Sequence, residues 1–327
     1  MPEGPEVRRI CDKLRLRLKG KLLLWVNPST LNTPDTKFRP YLETILPQIG
    51  HLFPTSCLDI VCRGKQLFFF FENGMAFTSS LGLEGHWYYF DSFVAAQRYK
   101  DTHSHGHVCM NFGRRVEDSG TKRIIHISEI QLWYDDSRHF GNFTITDWKG
   151  AIEKMKEFGP DLLATSVPLT DIHPIVQRLL PIEFTTYATL PAFIASIRSS
   201  RRKHFPLCQF LMKPEYFSGI GNYLKSEVLY RARLHPNRTL ETLTDQEITN
   251  LFSICLTTIL QAYQHGGLTH GTFLDPDMQK GTFPVQVYKR DGQLDSNGLQ
   301  IVRIDTYDQG KSSKPRGSYI VPQLQLC

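Results

Sequence analysis

The residues that first invite a chemical reading are Pro2, Glu3 and Glu6, in the opening Met1-Pro2-Glu3-Gly4-Pro5-Glu6. Once an initiator methionine ahead of a small residue is removed, Pro2 holds a free secondary amine. An α-amino group titrates near ~8 and a lysine near ~10.4, so roughly a tenth of the former is neutral at pH 7 against far less of the latter. Such an amine attacks the anomeric carbon of a sugar and forms an iminium ion, which stays charged and draws electrons from the neighbouring carbon. Glu3 and Glu6 can divide the proton work, one serving the sugar ring oxygen and the other the amine. The same residues also read as a polar cap ahead of a helix, and the hexapeptide alone leaves both readings open.

Four later stretches bear on the choice. Arg63-Gly64-Lys65 is a turn before an apolar run, Leu81-Gly82-Leu83-Glu84-Gly85 a glycine-bounded turn, and Asp136-Ser137-Arg138-His139-Phe140-Gly141 a turn with a cation and an aromatic. In Phe217-Ser218-Gly219-Ile220-Gly221-Asn222-Tyr223-Leu224-Lys225-Ser226-Glu227, the glycines permit close backbone approach and the following helix end supplies amide donors for a phosphate.

Together these stretches resemble the Fpg/Nei family of DNA glycosylase/AP lyases, with the Gly4-containing hexapeptide nearer the Nei side. The resemblance implies Pro2 as nucleophile and Glu3 as acid, with Glu6 beside them. It implies Lys65 as a binder of the phosphates flanking a lesion. It makes Leu83 the filler of the hole left by an extruded base, Arg138 the partner of the orphaned base and Phe140 a wedge. His139 departs from the family's second arginine, and Lys213-Pro214 departs upstream of the helix-two-turns-helix motif. Asn222 at that motif's helix end would donate a side-chain hydrogen bond to the phosphate that the glycines and the helix end approach. Residues 266–283 resemble a loop that covers the flipped base in some members, bringing in Thr269, His270 and Phe273. From Val287 onward the chain resembles the family's finger, yet Leu294, Asn297, Val321 and Leu324 stand where thiolates would, which implies a zincless finger with no metal. Arg316 matches the finger-tip arginine.

These residues need elements to hold them. Val7, Ile10, Leu14 and Leu18 fall at helical spacing between Glu6 and Lys19, with arginines and lysines off the stripe. Short β-rich runs follow at 22–26, 58–62, 66–71, 75–81, 86–90, 107–112, 124–127, 132–134 and 140–146, with Asn73-Gly74 as a hairpin signal. Asp147 opens a helix that Gly159-Pro160 ends, and Thr244-Asp245-Gln246-Glu247 is a capping box before a long helix. The expected fold is α+β: an N-terminal helix and β-sandwich over 1–158, a linker over 159–170, a helical helix-two-turns-helix domain over 171–282, and a hairpin finger over 283–327. Residues 171–204 read as an insertion ending in the basic cluster Arg198 to His204, either a solvated patch or extra phosphate contacts.

Composition sets the bounds. The 327 residues carry a net charge of +6, which suits a polyanionic partner. Seven cysteines without a Cys-x-x-Cys pair suggest a reduced, intracellular protein, nuclear if eukaryotic. No apolar run approaches the ~18 residues of a membrane span, and no signal peptide is expected. His103, His105 and His107 would share one face of a strand, but no carboxylate or cysteine nearby completes a metal set. The expectation is a monomeric, cofactor-free bifunctional glycosylase/AP lyase acting on double-stranded DNA that holds an oxidised base or an abasic site, favouring oxidised pyrimidines and ring-opened purines. A DNA-binding module that catalyses nothing, and a lyase confined to abasic sites, stay open as alternatives.

Overall fold

Helix α1 (Gly4–Leu18) begins three residues ahead of its apolar stripe, because Pro5 sits in its first turn and the Glu6 carboxylate receives the Glu3 amide at 2.9 Å. In this computed structural model, residues 2–28, 37–103, 105–185, 187–199, 201–268, 273–306 and 316–326 are described. Val7, Ile10, Cys11, Leu14 and Leu18 of α1 are buried. The cations off that stripe turn inward as well: Arg8 bonds Asp12 and the Val167 carbonyl, Arg9 and Lys13 share Asp275, Arg17 reaches Asp277, and Arg15 grips Asp59 at 2.7 Å. A helix so enclosed is an interior strut between two domains.

The first domain adds β1 (Leu22–Pro28), α2 (Phe38–Ile49), β2 (Thr55–Arg63), β3 (Gln66–Phe71), β4 (Met75–Ser80), β5 (His86–Phe90), α3 (Phe93–Thr102), β6 (Gly106–Glu117), β7 (Ile124–Asp135) and β8 (Asn142–Asp147). The strands run antiparallel in the order β5-β7-β6-β1-β2-β3-β4-β8. Only two residue pairs join β1 to β2, so the sheet folds there into two layers. Side chains of both layers meet between them, with Phe69 and Phe143 against Trp87 at 5.7 and 6.0 Å. This is the expected sandwich. β3 is buried on both faces, Phe69 and Phe71 in the sandwich core and Phe68 and Phe70 beneath α4 (Trp148–Lys156), which accounts for its unbroken aromatic run.

Several elements differ from expectation. The runs at 124–127 and 132–134 are one strand, paired along its length with a β6 that continues to Glu117. The last strand starts at Asn142, since residues 138–141 are committed to a turn. Helices α2 and α3 were not read from the sequence: Pro40 and Pro47 lie inside α2, and α3 buries only Ala96 and Tyr99. His103 closes α3 and stacks on Tyr99 at 4.4 Å, whereas His107 lies in β6 and bonds the Asp136 carbonyl, so the three histidines do not share a face.

The stretch read as a linker contains α5 (Leu162–Ser166), capped by Asp161, whose Leu162 and Leu163 join the second core. The stretch read as an insertion is helical too, with α6 (Pro174–Leu179), α7 (Ile182–Thr185) and α8 (Leu190–Arg198). Its basic end is mostly fastened: Arg198 pairs with Asp245, His204 with Glu241, and Arg202 lies over the Tyr216 ring. Then come α9 (Leu207–Leu211), α10 (Asn222–Ala232), and α11 (Asp245–Gln264), which carries the expected capping box. A hairpin of β9 (Val302–Thr306) and β10 (Arg316–Ile320) ends the fold.

At the finger, Val321 packs with Tyr230, Val287 and Ile301, and Leu324 rests against them. Asn297 donates to Asp295, whose carboxylate also accepts from Tyr230 Oη and the Leu299 amide. With Leu294 exposed, these four positions offer no donor set that fits zinc. Among the described residues no helix is long and apolar enough to cross a membrane.

The Asp59 carboxylate is fully buried, taking Arg15 and the amides of Ile60 and His173. Asp59→Ala leaves the Ile60 and His173 amides without this acceptor and takes the carboxylate from Arg15, which keeps only the Thr170 and Asp171 carbonyls, and is expected to remove about 3 kcal/mol of stability in urea unfolding.

Candidate active site

Glu3 precedes α1 in extended conformation, and its side chain lies across the domain boundary on the N-terminus of α10. Its carboxylate accepts the amides of Gly221, Tyr223 and Leu224 at 2.7, 2.8 and 3.2 Å. The helix end read as a phosphate cradle thus holds a carboxylate of the chain itself, by the same amide and dipole attraction. Gly221 is needed for this approach, since a Cβ there would stand 2.3 Å from Glu3 Cδ. Burial pushes the Glu3 carboxyl up to about 7, opposed by Lys65 and the amides and reinforced by Glu6. Pro2, next to it, is buried.

Glu6 is also buried, its oxygens taken by the Glu3 amide, Tyr223 Oη at 2.9 Å and the Leu268 amide at 2.8 Å. Lys65 follows β2 on a turn whose Gly64 amide donates to Asp161. Burial holds the Lys65 ammonium below the usual lysine range, with Glu3 and Glu6 pulling it up and Arg316 pushing it down. Glu3, Glu6, Lys65 and Arg316 therefore occupy one electrostatic neighbourhood.

Leu83, Arg138 and Phe140 come together on two turns that pack backbone to backbone. Gly82 has φ +56°, and a Cβ on it would lie 2.4 Å from the Gly141 nitrogen. Glu84 ties the turns by accepting from Ser137 Oγ at 2.8 Å and Arg138 at 3.4 Å, while the Arg138 guanidinium sits over the Phe140 ring. Asp136 organises the second turn through the Gly141 amide at 2.7 Å and Tyr134 Oη. His139 points back into the domain, edge-on to His107 at 4.5 Å and near Phe38, and Lys37 donates to its carbonyl. Neither Glu84 nor the α2 residues were singled out from the sequence.

On the far side, Asn222 opens α10 and its side chain accepts from Lys225 Nζ at 2.7 Å. Lys225 is buried, and with Lys213, Thr306, Arg316 and Gln209 it lines a cavity of about 90 Å³ between α10 and the hairpin. Gln209 Oε1 has no hydrogen-bond partner among the described residues. The spacing of Asn222 and Lys225, one helical turn apart, was the signal that could have revealed this pair. Thr269 and His270 lie outside the described residues, and Phe273 is buried against His86 at 5.6 Å.

A sandwich, a helix-two-turns-helix unit and a hairpin meeting around the buried carboxylates of Glu3 and Glu6 define the class of helix-two-turns-helix DNA glycosylases. Residues 1–143 match the formamidopyrimidine-DNA glycosylase N-terminal domain, and residues 186–273 the formamidopyrimidine-DNA glycosylase H2TH domain. The chain belongs to the formamidopyrimidine-DNA glycosylase family. It is 25% identical to a formamidopyrimidine-DNA glycosylase of Streptococcus pneumoniae serotype 4, over 99% of both chains, and 29% identical to one of Rickettsia africae, over 90% of both. The solved complex of Lactococcus lactis Fpg with DNA containing an abasic site shares the fold, with a TM-score of 0.72 at 21% identity over 99% of each chain.

Gly221→Ala is expected to displace the Glu3 carboxylate while leaving helix α10 intact, because the φ of −128° at this position suits alanine. If Glu3 serves as the acid, single-turnover base release should fall by about tenfold or more, part of the ~10²-fold that a well-placed acid supplies. An unchanged rate would show that Glu3 does not need this seat.

Proposed function

We propose that this DNA glycosylase of base excision repair works through an N-terminal proline iminium and is also an AP lyase. With Met1 removed, the Pro2 nitrogen attacks C1′ of the damaged nucleoside as Glu3 gives its proton to the ring oxygen, and the base leaves. The iminium then acidifies C2′, so that loss of its proton expels the 3′ phosphate by β-elimination, and δ-elimination expels the 5′ phosphate. The observation that carries this reading is the Glu3 carboxyl beside Pro2, held by three amides and poised near pH 7, where an acid gives and regains a proton with least penalty. Glu6, with all its partners inside the protein, acts as a positioning residue for Glu3 and Tyr223.

In the same reading Lys65, Asn222 and Arg316 take the phosphates around the lesion, and Lys225 orients Asn222. Leu83, Arg138 and Phe140 fill the stack after extrusion, which offsets an unstacking cost of a few kcal/mol. The partner is double-stranded DNA with an oxidised base or abasic site, ring-opened purines and oxidised pyrimidines being the preferred lesions. The finger stays folded by its apolar cluster and Asp295 without zinc.

Borohydride trapping on duplexes carrying 5-hydroxyuracil or a formamidopyrimidine should give a covalent complex with the wild type and none with Pro2→Gly. Tight binding with no trapped complex on either lesion or on an abasic site would instead mark a binding module. A pH series separates the two groups. Glu3 is protonated below about 7 and loses its proton above it, whereas the amine becomes neutral towards ~8. Base release should therefore decline on the alkaline side, while imine formation on a preformed abasic aldehyde keeps rising. Glu3→Gln should lower base release by ~10²-fold or more and spare that imine; equal loss of both steps would overturn the acid role.

A further inference from the structure

The β6–β7 hairpin runs past the sandwich as an arm. Beyond Gly113, the last β6 residue paired with β1, and before Gln131, the residue of β7 paired with the end of β5, its two strands pair in the ladder only with each other among the described residues, while at its root Ile130 stays in the sandwich core and Glu129 is held by Lys21. The arm is β-branched and open: Ile124, Ile125 and Ile127 are 55%, 43% and 38% exposed. Paired residues share a face, so Val116, Ile125 and Ile127 form an apolar strip on one side, and Ile124 and His126 lie on the other.

The hairpin closure tells which backbone groups are free. Asp118 donates to the Arg123 carbonyl and accepts from the Lys122 amide, with Lys122 at φ +56°, so 118 and 123 form a bonded step of the ladder. Alternation then makes 117–124 and 115–126 the non-bonded pairs. The N–H and C=O groups of Ile124 and His126 therefore point away from β6, into a slot in line with β5. Just after β5 ends at Phe90, opposite Gln131, the chain turns into α3 with Phe93 at 74% exposed and Val94 at 59%.

We propose that the outer edge of β7 from Ile124 to Ser128 receives an extended segment of a partner protein, alternating apolar and acidic residues, as an added strand. Unpaired ladder groups supply the main-chain bonds and the isoleucines supply the apolar contacts. Charge sets the partner's sign. Asp118 is engaged by the Gly120 and Thr121 amides and Glu117 faces Lys122, while Arg115 and Arg123 form no ion pair among the described residues. A second copy of this chain would set one cationic ribbon against another. DNA gripped at the Arg138 turn is remote, since that turn is about 40 Å from the arm's tip along β7.

Fluorescence anisotropy of the full-length protein with a labelled peptide of alternating valine and glutamate, and with its valine–lysine counterpart, tests this. The acidic peptide should bind at least about tenfold more tightly than the basic one. His126→Pro removes an outward N–H without breaking a bond to β6, and the exposed pair Arg115→Glu with Arg123→Glu reverses the charge without touching the ladder. Each should weaken the acidic peptide about tenfold or more, with unfolding temperature and borohydride trapping as in the wild type. Should the proline variant unfold, the charge reversal alone decides. Equal binding of both peptides, or binding indifferent to the variants, overturns the proposal. So does a concentration-dependent dimer in sedimentation that His126→Pro abolishes, which gives the edge to a second copy, or a loss of duplex affinity on charge reversal, which gives it to DNA.

Discussion

A carboxylate can be kept in a protein interior only if its hydration is replaced, and in this chain the replacement for Glu3 is the end of a helix more than two hundred residues away. Three amides of α10 do that work, and the consequence is architectural. The start of α1, the helix-two-turns-helix turn and the Lys65 turn must converge, because the first and last both touch the second: Gly4 donates to the Gly219 carbonyl, and Gly64 lies against Ser218. Were the two domains to slide, Glu3 would lose its amides before any apolar contact was much affected.

The same seat explains the character of the site. Burial raises the Glu3 carboxyl and lowers the Lys65 ammonium, so each depends on the other's charge. Glu6, fully satisfied, fixes the Glu3 backbone and the Tyr223 ring from below. A pair of acids that looks equivalent in sequence is divided by environment: Glu3 sits on the amides of a helix end, and Glu6 ties together the Glu3 amide, Tyr223 and the Leu268 amide.

The turns carrying Leu83, Arg138 and Phe140 show how an exposed aromatic is held in place. Phe140 is 58% exposed, yet its turn is fixed by Asp136, by the close approach at Gly82, and by His139 folded back against His107 and Phe38. An arginine in place of His139 would have a long polar reach; the imidazole instead packs inward, so the departure from the family pattern anchors the turn to α2. The charge balance needs similar care. Much of the basic character of α1 and of residues 198–204 is engaged by aspartates, glutamates and carbonyls within the chain, so net charge overstates what is available to DNA.

Patterns local in sequence were legible because the physics behind them is local. The stripe of α1, the Asn73-Gly74 hairpin, the Asp147 cap and the Thr244 capping box depend on neighbours within a few residues. The hexapeptide and the helix-two-turns-helix glycines likewise carry the family signature within short stretches of sequence. Helix α2 with its internal prolines, the single long β7, α5 inside the supposed linker, and Lys225 behind Asn222 were not legible, because tertiary packing decides them. Above all, no spacing in the sequence says that the helix end at Gly221 holds Glu3. A helix N-terminus attracts any anion, and only the folding of two domains against each other determined that this one is filled by the protein's own carboxylate.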